Sequence, residues 1–287
     1  MVDAKPETSA SWQLVTQFKE KFGMEISSTA CRNRLLAALP KADLQRLYHT
    51  GERVHLPAGS VLCHSGEEIR YVYFPEQGLI ALVATMMDGA TVETGLVGRE
   101  GMTGVPVLLG AASAPYRAIV QVAGEAWRLR ADTFKEELHR SGELQHRLLL
   151  YTQALMTLMS QMAACNCLHT VEERLCSLLL MIHDRIESGT FSLTHEALAE
   201  MLGARRAGIT VAAGKLREAG VINYVRGHVH ITNRGLLELT ACECYQTIRG
   251  EFDRLVAERE PEPTLSFNPL AHGAGLNQGR ESISLTR

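Results

Sequence analysis

Arg205 and Arg206 stand side by side at the head of a run of small and apolar residues, GARRAGITVAAGKLREAG, and the next acid after them is Glu218. Two guanidiniums with no acid close behind them in the sequence call for an anion from outside. A helix opening there would add its own unpaired N–H groups to the attraction. At about 100° per residue, Arg206, Thr210 and Arg217 fall within about 40° of one another, with Ala207, Val211 and Gly214 beside them. Ile209, Ala212, Leu216 and Ala219 line another side, suited to a core. The polar side offers guanidinium donors, a hydroxyl and small apolar contacts, which is the chemistry that reads phosphates and base edges. The alternative is a solvated basic face on an interaction helix.

Other elements must hold that face in place. Thr194 fits an N-cap for the helix HEALAEML, with Leu193 and Leu198 as a hydrophobic staple. That helix stops at Gly203 and the next begins about two residues on, with Ala199 and Gly203 small enough for a steep crossing. Together they predict a helix-turn-helix. INYVRGHVHIT follows, two short strands about Arg226-Gly227 that read as a wing, with Arg226 and His228 placed to reach DNA. His228 and His230 share a strand face, and phosphate contact is preferred there over a metal site. From Leu193 to Arg234 there are six Lys/Arg and three Glu, a local +3 that leaves −6 for the rest of a chain of net charge −3. A basic module on an acidic body suits a local anionic partner.

Upstream, RYVYFP, GLIALVATMM, TVETGLV and RAIVQVAG are short strand-like segments between turns, among them the hairpin signal Asp88-Gly89. They predict a small antiparallel barrel or roll. Asp132 suits an N-cap for FKEELHR. Beyond it Leu144, Leu148, Tyr151, Leu155, Leu158, Met162 and Cys165 form a heptad seam. The pattern is read as a dimer seam. A helix buried within one subunit would explain its apolarity as well, since Leu149, Met156 and Met159 widen the stripe. Thr170 and Glu173 form a capping box for the helix after it.

The remaining signals are weaker. The first 30 residues read as a loose extension, and 256–287 as a disordered tail. No stretch reaches the ~18–20 uninterrupted apolar residues of a membrane span, and seven cysteines at unhelpful spacings suit a reducing compartment, so the expectation is a cytoplasmic protein without membrane partners. Cys165/Cys167 and Cys242/Cys244 look like metal pairs, but on a helix i and i+2 point about 200° apart and neither pair chelates alone. Buried structural thiols and no metal are expected. Gly95, Gly98, Gly101 and Gly104 recur every three residues and read as turn glycines, with no helix opening after them as a phosphate loop requires. No HExxH, G-x-S-x-G or Walker motif is present, so no enzyme is expected.

From about Asn33 to Leu255 the chain resembles the Crp/Fnr family of bacterial transcription regulators, most strongly over LTHEALAEMLGARRAGITVAAGKLREAGVI and ACECYQTIRGEFDRL. The resemblance implies an α+β architecture: a cyclic-nucleotide-binding-like antiparallel β-roll over 31–140, a long dimerisation helix over 141–168 and a winged helix-turn-helix over 169–255. It implies double-stranded DNA and a second copy of the chain as partners, with RNA polymerase and an unknown small-molecule effector as further candidates.

Two departures from the family pattern matter. Arg206 matches the first base-reading Arg, but Ala207 stands in place of the family's acid and Val211 in place of its second Arg. In the effector pocket Gly104 and Arg117 match, whereas Val105 replaces the Glu that holds the ribose hydroxyl. A branched alkyl group accepts no hydrogen bond, and an unpaired buried hydroxyl costs about 1–3 kcal/mol. Cyclic AMP is therefore not the expected effector. Arg117 either binds another anion or pairs with an acid of the roll. The leading functional reading is a homodimeric DNA-binding regulator whose roll senses an effector, and the second is a thiol-responsive regulator on the same scaffold.

Overall fold

The computed structural model describes residues 31–186 and 188–257. The extension expected over 1–30 and the tail beyond Ala257 lie outside the described residues. Two antiparallel sheets build the N-terminal roll. One has the order β1 (Glu52–Leu56), β7 (Gly124–Arg130), β3 (Tyr71–Pro75), and the other β2 (Val61–Cys63), β6 (Arg117–Val122), β4 (Leu79–Thr85), β5 (Thr91–Val97). Their β-branched and aromatic residues join one continuous core with Val72, Phe74, Ile80, Leu82 and Leu96 fully buried. The Asp88-Gly89 turn joins β4 to β5, with Gly89 at φ 86° and the Asp88 carboxylate accepting from the Ala90 N–H at 2.9 Å.

Helices close the roll on its N-terminal and C-terminal sides. The short α1 (Arg34–Ala37) is capped by the buried Asn33, whose amide also donates to Pro75 and Gly101 carbonyls at 2.9 and 2.8 Å. It is followed by α2 (Lys41–Thr50). A four-residue helix, α3 (Val105–Leu108), opens directly after Gly104, where the sequence suggested no helix. The next, α4 (Ala131–Arg140), starts two residues earlier than expected, with Arg130 at its cap and Asp132 in its first turn. A carboxylate there still meets the positive end of the helix.

The long helix α5 (Gly142–Leu168) is capped by Ser141, whose hydroxyl accepts from the Leu144 N–H at 3.1 Å. The reading of its seam is corrected here. Leu144, Leu148, Tyr151, Leu155, Leu158 and Cys165 are 0–8% exposed within their own chain, and Met162 is half-buried. They pack inward, so this heptad is an intrachain seam and presents no surface to a partner. Tyr151 shows how tightly. Its ring lies where a Cβ on Gly101 would come within 2.5 Å, and its hydroxyl donates to the Met102 carbonyl at 2.9 Å. The outward face carries a second heptad, His146, Leu149, Gln153, Met156, Ser160, Ala163 and Cys167, with Leu149 and Met156 48% and 58% exposed. By length and composition alone α5 is apolar enough to cross a membrane, although 44% of that stretch is buried inside the chain.

The C-terminal part begins with α6 (Val171–Ile186), opened by the Thr170/Glu173 capping box with side-chain and backbone bonds of 2.8–3.3 Å. Then come β8 (Thr190–Ser192), α7 (His195–Leu202), α8 (Arg206–Glu218), β9 (Ile222–Val225), β10 (His228–Ile231), α9 (Arg234–Thr240) and α10 (Glu243–Ala257). The three strands pair in the order β8-β10-β9.

One buried acid is out of place in this core. Glu93 on β5 is 3% exposed, and neither carboxylate oxygen has a hydrogen-bond partner among the described residues. Burial raises its pKa well above the ordinary carboxylate value, a shift that the charge of Arg185 only partly opposes. Below the unfolded pKa both states are protonated and there is no penalty. As pH rises through that value the unfolded chain ionises while the fold keeps its proton, so stability falls. Glu93→Gln removes this loss. Melting temperatures from about pH 4 to about pH 8 should show the variant's advantage over wild type widening with pH; a constant difference would mean that Glu93 is ionised in the fold.

Candidate nucleic-acid interface

The helix-turn-helix forms from local signals. The Thr194 hydroxyl caps α7 by accepting from the Ala197 N–H at 3.1 Å, and Leu193 and Leu198 are both buried. Gly203 ends α7 in the left-handed region at φ 55°, and the next amide, Ala204 N–H, turns back to the Ala199 carbonyl at 2.9 Å. Arg205 is the N-cap of α8 and makes no capping bond with its side chain. Ile209, Ala212, Ala213 and Leu216 are buried under α8, whereas Ala219, expected with them, is exposed at its end. Arg205, Arg206, Ala207, Thr210, Val211 and Arg217 are all exposed, Val211 to 62%.

The structure supplies partners that the local sequence does not reveal. Arg206 Nε lies 3.6 Å from Glu196 of α7, in a pair whose two side chains are 70% and 64% exposed. Such a pair is weak and salt-screened, so it positions the guanidinium without holding it against a stronger anion. The Thr210 hydroxyl donates back to the Arg206 carbonyl at 3.0 Å and sits 3.1 Å from His195 Nδ1. The His195 ring stacks on Tyr224 of the wing at 4.4 Å, which ties α7, α8 and the wing together. Burial, with Arg206 adding to it, holds the His195 pKa below the ordinary histidine range. Its imidazole is therefore neutral at pH 7.

At the wing tip Arg226 takes φ 50° and Gly227 φ 82°, the two consecutive left-handed residues of a tight hairpin turn. Arg226 is thrust into solvent at that tip. His228 and His230 do share an exposed face. Each is engaged by β8, His228 Nδ1 with the Ser192 hydroxyl at 2.9 Å and His230 Nδ1 with the Thr190 hydroxyl at 3.0 Å.

The residues expected to line an effector pocket lie in the roll, around α3 and at the start of β6. Gly104, at φ 92°, caps α3, and Val105 is buried to 6% exposure, with no polar atom in the position of the family's carboxylate. Arg117 begins β6 across from Val83, and its Nε is buried without a hydrogen-bond partner among the described residues. Glu100, the nearest acid that could replace a pocket carboxylate, is committed elsewhere. Its Oε1 pairs with Arg185 Nε at 2.7 Å, with both side chains 6–7% exposed.

Roll, long helix and winged helix-turn-helix follow one another as a β-roll domain joined to a helix-turn-helix of DNA-binding type. The comparisons with known proteins agree. Residues 53–141 match the cyclic nucleotide-binding domain and residues 173–240 the Crp-like helix-turn-helix domain. The chain thus pairs a cyclic nucleotide-binding domain with a Crp-like helix-turn-helix domain, the two-domain build of Crp/Fnr transcriptional regulators. Among solved structures it is similar to FixK2 from Bradyrhizobium japonicum (14% identity, TM-score 0.57, covering 67% of this chain and 98% of that one). It is also similar to the c-di-GMP-responsive global regulator CLP of Xanthomonas campestris (14% identity, TM-score 0.54, covering 67% and 99%). A curated relative, an uncharacterised NTE family protein of Mycobacterium tuberculosis, is 34% identical over 123 residues, 42% of this chain. The chain spans about a fifth of that relative's length, 20%.

Proposed function

We propose that the protein is a cytoplasmic homodimer that binds pseudo-palindromic DNA through α8 and couples that binding to an effector held by the roll. The observation that carries the reading is the exposed face of α8, with Arg206, Thr210, Val211 and Arg217 turned outward and Arg206 only loosely paired with Glu196. On this reading Arg206 reads a guanine edge, Ala207 and Val211 meet thymine methyl groups, and Arg205 and the wing-tip Arg226 hold phosphates. His228 adds a contact from the wing.

The second copy docks along the outward heptad of α5, the stripe from His146 to Cys167 that the chain leaves uncovered. Its two exposed anchors, Leu149 and Met156, stand two turns apart on that stripe. The effector is an anion other than cyclic AMP. Arg117 is free to receive it, since it pairs with no acid among the described residues, and Val105 denies the ribose its usual partner. CLP, a protein of the same fold, is named for its response to c-di-GMP, so the scaffold is not tied to cyclic AMP.

Two tests address this reading. Exchanging an apolar side chain for a charge, once on the exposed face and once on the buried one, should separate the faces of α5. Met156→Glu should give a folded monomer by light scattering and circular dichroism, with much weakened DNA binding. Leu155→Glu, one residue away but 4% exposed, should lose about 2–5 kcal/mol of stability instead. A Met156→Glu protein that stays dimeric would place the interface elsewhere. For DNA, half-sites should lie about one turn apart, ~34 Å. Arg206→Ala should cost about 1–3 kcal/mol on the specific duplex and relax one base pair per half-site. Arg205→Ala should weaken all duplexes alike and lower the salt slope by roughly one unit per subunit. Equal losses on specific and scrambled duplexes for Arg206→Ala would remove it from base reading and leave specificity to methyl contacts or DNA shape.

A further inference from the structure

Of the paired cysteines expected to be buried structural thiols, Cys165, Cys242 and Cys244 are buried and converge in space, whereas Cys167 is exposed. Cys165 lies in the last turn of α5 and His169 is the C-cap of that helix, while Cys242 directly precedes α10 and Cys244 is in its first turn. Cys165 and Cys167 diverge as the helical spacing requires, whereas Cys242, just outside its helix, turns its sulfur to the same side as Cys244. Across the fold, however, the sulfurs of Cys165, Cys242 and Cys244 and a ring nitrogen of His169 all lie within 4.8 Å of one another. Cys165 Sγ is 3.4 Å from Cys242 Sγ, and Cys244 Sγ is 3.6 Å from His169 Nδ1. A tetrahedral ion with metal–sulfur bonds of about 2.3 Å sets its ligand sulfurs ~3.8 Å apart, so the four groups need only small rotamer adjustments.

The surroundings also suit a metal. The three cysteines are 4–8% exposed and form a cluster separate from the main hydrophobic core, with the polar imidazole at its edge. His169 turns Nδ1 toward the thiols, and its Nε2 lies 3.3 Å from a Glu243 carboxylate oxygen. A carboxylate behind the second nitrogen is the arrangement that fixes the tautomer and orientation of a metal-bound histidine. The Cys165 thiol and the Ser177 hydroxyl lie 3.4 and 3.1 Å from the Cys242 sulfur. Arg174 lines the same small cavity as Cys165, Ser177 and Cys244, a cation beside what would be a three-thiolate site.

We propose that Cys165, His169, Cys242 and Cys244 bind one divalent ion of the zinc class, clasping the end of the long helix to the C-terminal helix. Binding exchanges three thiol protons, released to solvent, for three metal–sulfur bonds, and changes no oxidation state. The Cys3His donor set matches structural zinc sites, whereas iron–sulfur clusters take four cysteines or two cysteines with two histidines. A Cys165–Cys242 disulfide would use only half the group and leave His169 and Cys244 facing each other without a purpose.

The test uses the full-length protein, reduced and stripped of metal, with Co2+ and then Zn2+ as probes. One Co2+ per chain should bind with the intense visible absorption of tetrahedral thiolate cobalt, and one Zn2+ should displace it. Cys165→Ser, Cys244→Ser and His169→Ala should each abolish the cobalt spectrum. Cys167→Ser, a neighbouring exposed thiol outside the group, should keep it at one per chain. Glu243→Gln should weaken the metal by ~10–100-fold. A reduced wild-type chain that takes up no cobalt overturns the proposal whatever the variants do. Equal loss in Cys167→Ser and Cys165→Ser, or a Cys165–Cys242 disulfide in freshly isolated metal-free protein, overturns it as well.

Discussion

The buried ion pair between Glu100 and Arg185 joins the roll to the DNA-binding part within one continuous core. Glu100 belongs to the sensor loop after β5, and Arg185 to the last turn of α6, where the DNA-binding part begins. The carboxylate oxygen that meets Arg185 at 2.7 Å also accepts from the Gly98 N–H at 3.2 Å, while the guanidinium donates to the Met181 carbonyl at 2.9 Å and lies 5.3 Å from the Phe252 ring of α10. A side chain at Gly98 would press on Arg185, with a Cβ only 2.7 Å from that of the arginine. Loop, α6 and α10 thus meet on one charged group. Removing one partner of such a pair strands the other in a low-dielectric site and costs about 3–5 kcal/mol. Gly104 and Val105 continue the loop that Glu100 starts. An effector that shifted this loop would therefore act on the helices beneath the DNA reader without crossing a flexible linker.

The fold was legible wherever its signals are local. Thr194, Gly203, the Thr170/Glu173 box, Asp88-Gly89 and Arg226-Gly227 all specify caps and turns from a few neighbouring residues, and each does so in the structure. What covers a helix face is not local. A heptad from Leu144 to Cys165 reads the same whether a partner subunit or the chain's own roll lies over it, and here the roll and α10 do. The interface candidate is the quieter heptad opposite, in which Gln153 and Ser160 interrupt Leu149 and Met156.

Contacts between distant residues were equally hidden. Glu196 reaches Arg206 because the turn at Gly203 folds α7 over α8, and Cys165 reaches Cys242 across 77 residues. The spacing rule holds for Cys165 and Cys167 within one helix, but Cys242 precedes its helix and escapes the rule, which also says nothing about residues that meet across the fold. The departures at Ala207, Val211 and Val105, by contrast, were plain in the sequence, since each replaces a charged group by an alkyl one. They leave α8 with Arg206 exposed among small side chains and leave the start of α3 without a carboxylate.

The mechanical link is tested most directly by calorimetry of the full-length chain with and without it. Wild type should melt in a single transition, because Glu100 and Arg185 make roll and winged helix one cooperative unit. Arg185→Met should split that transition in two, with hydrogen exchange assigning the lower one to the residues from α6 onward. A single transition at an unchanged temperature in Arg185→Met would contradict the account and place the coupling between sensor and DNA reader elsewhere in the fold.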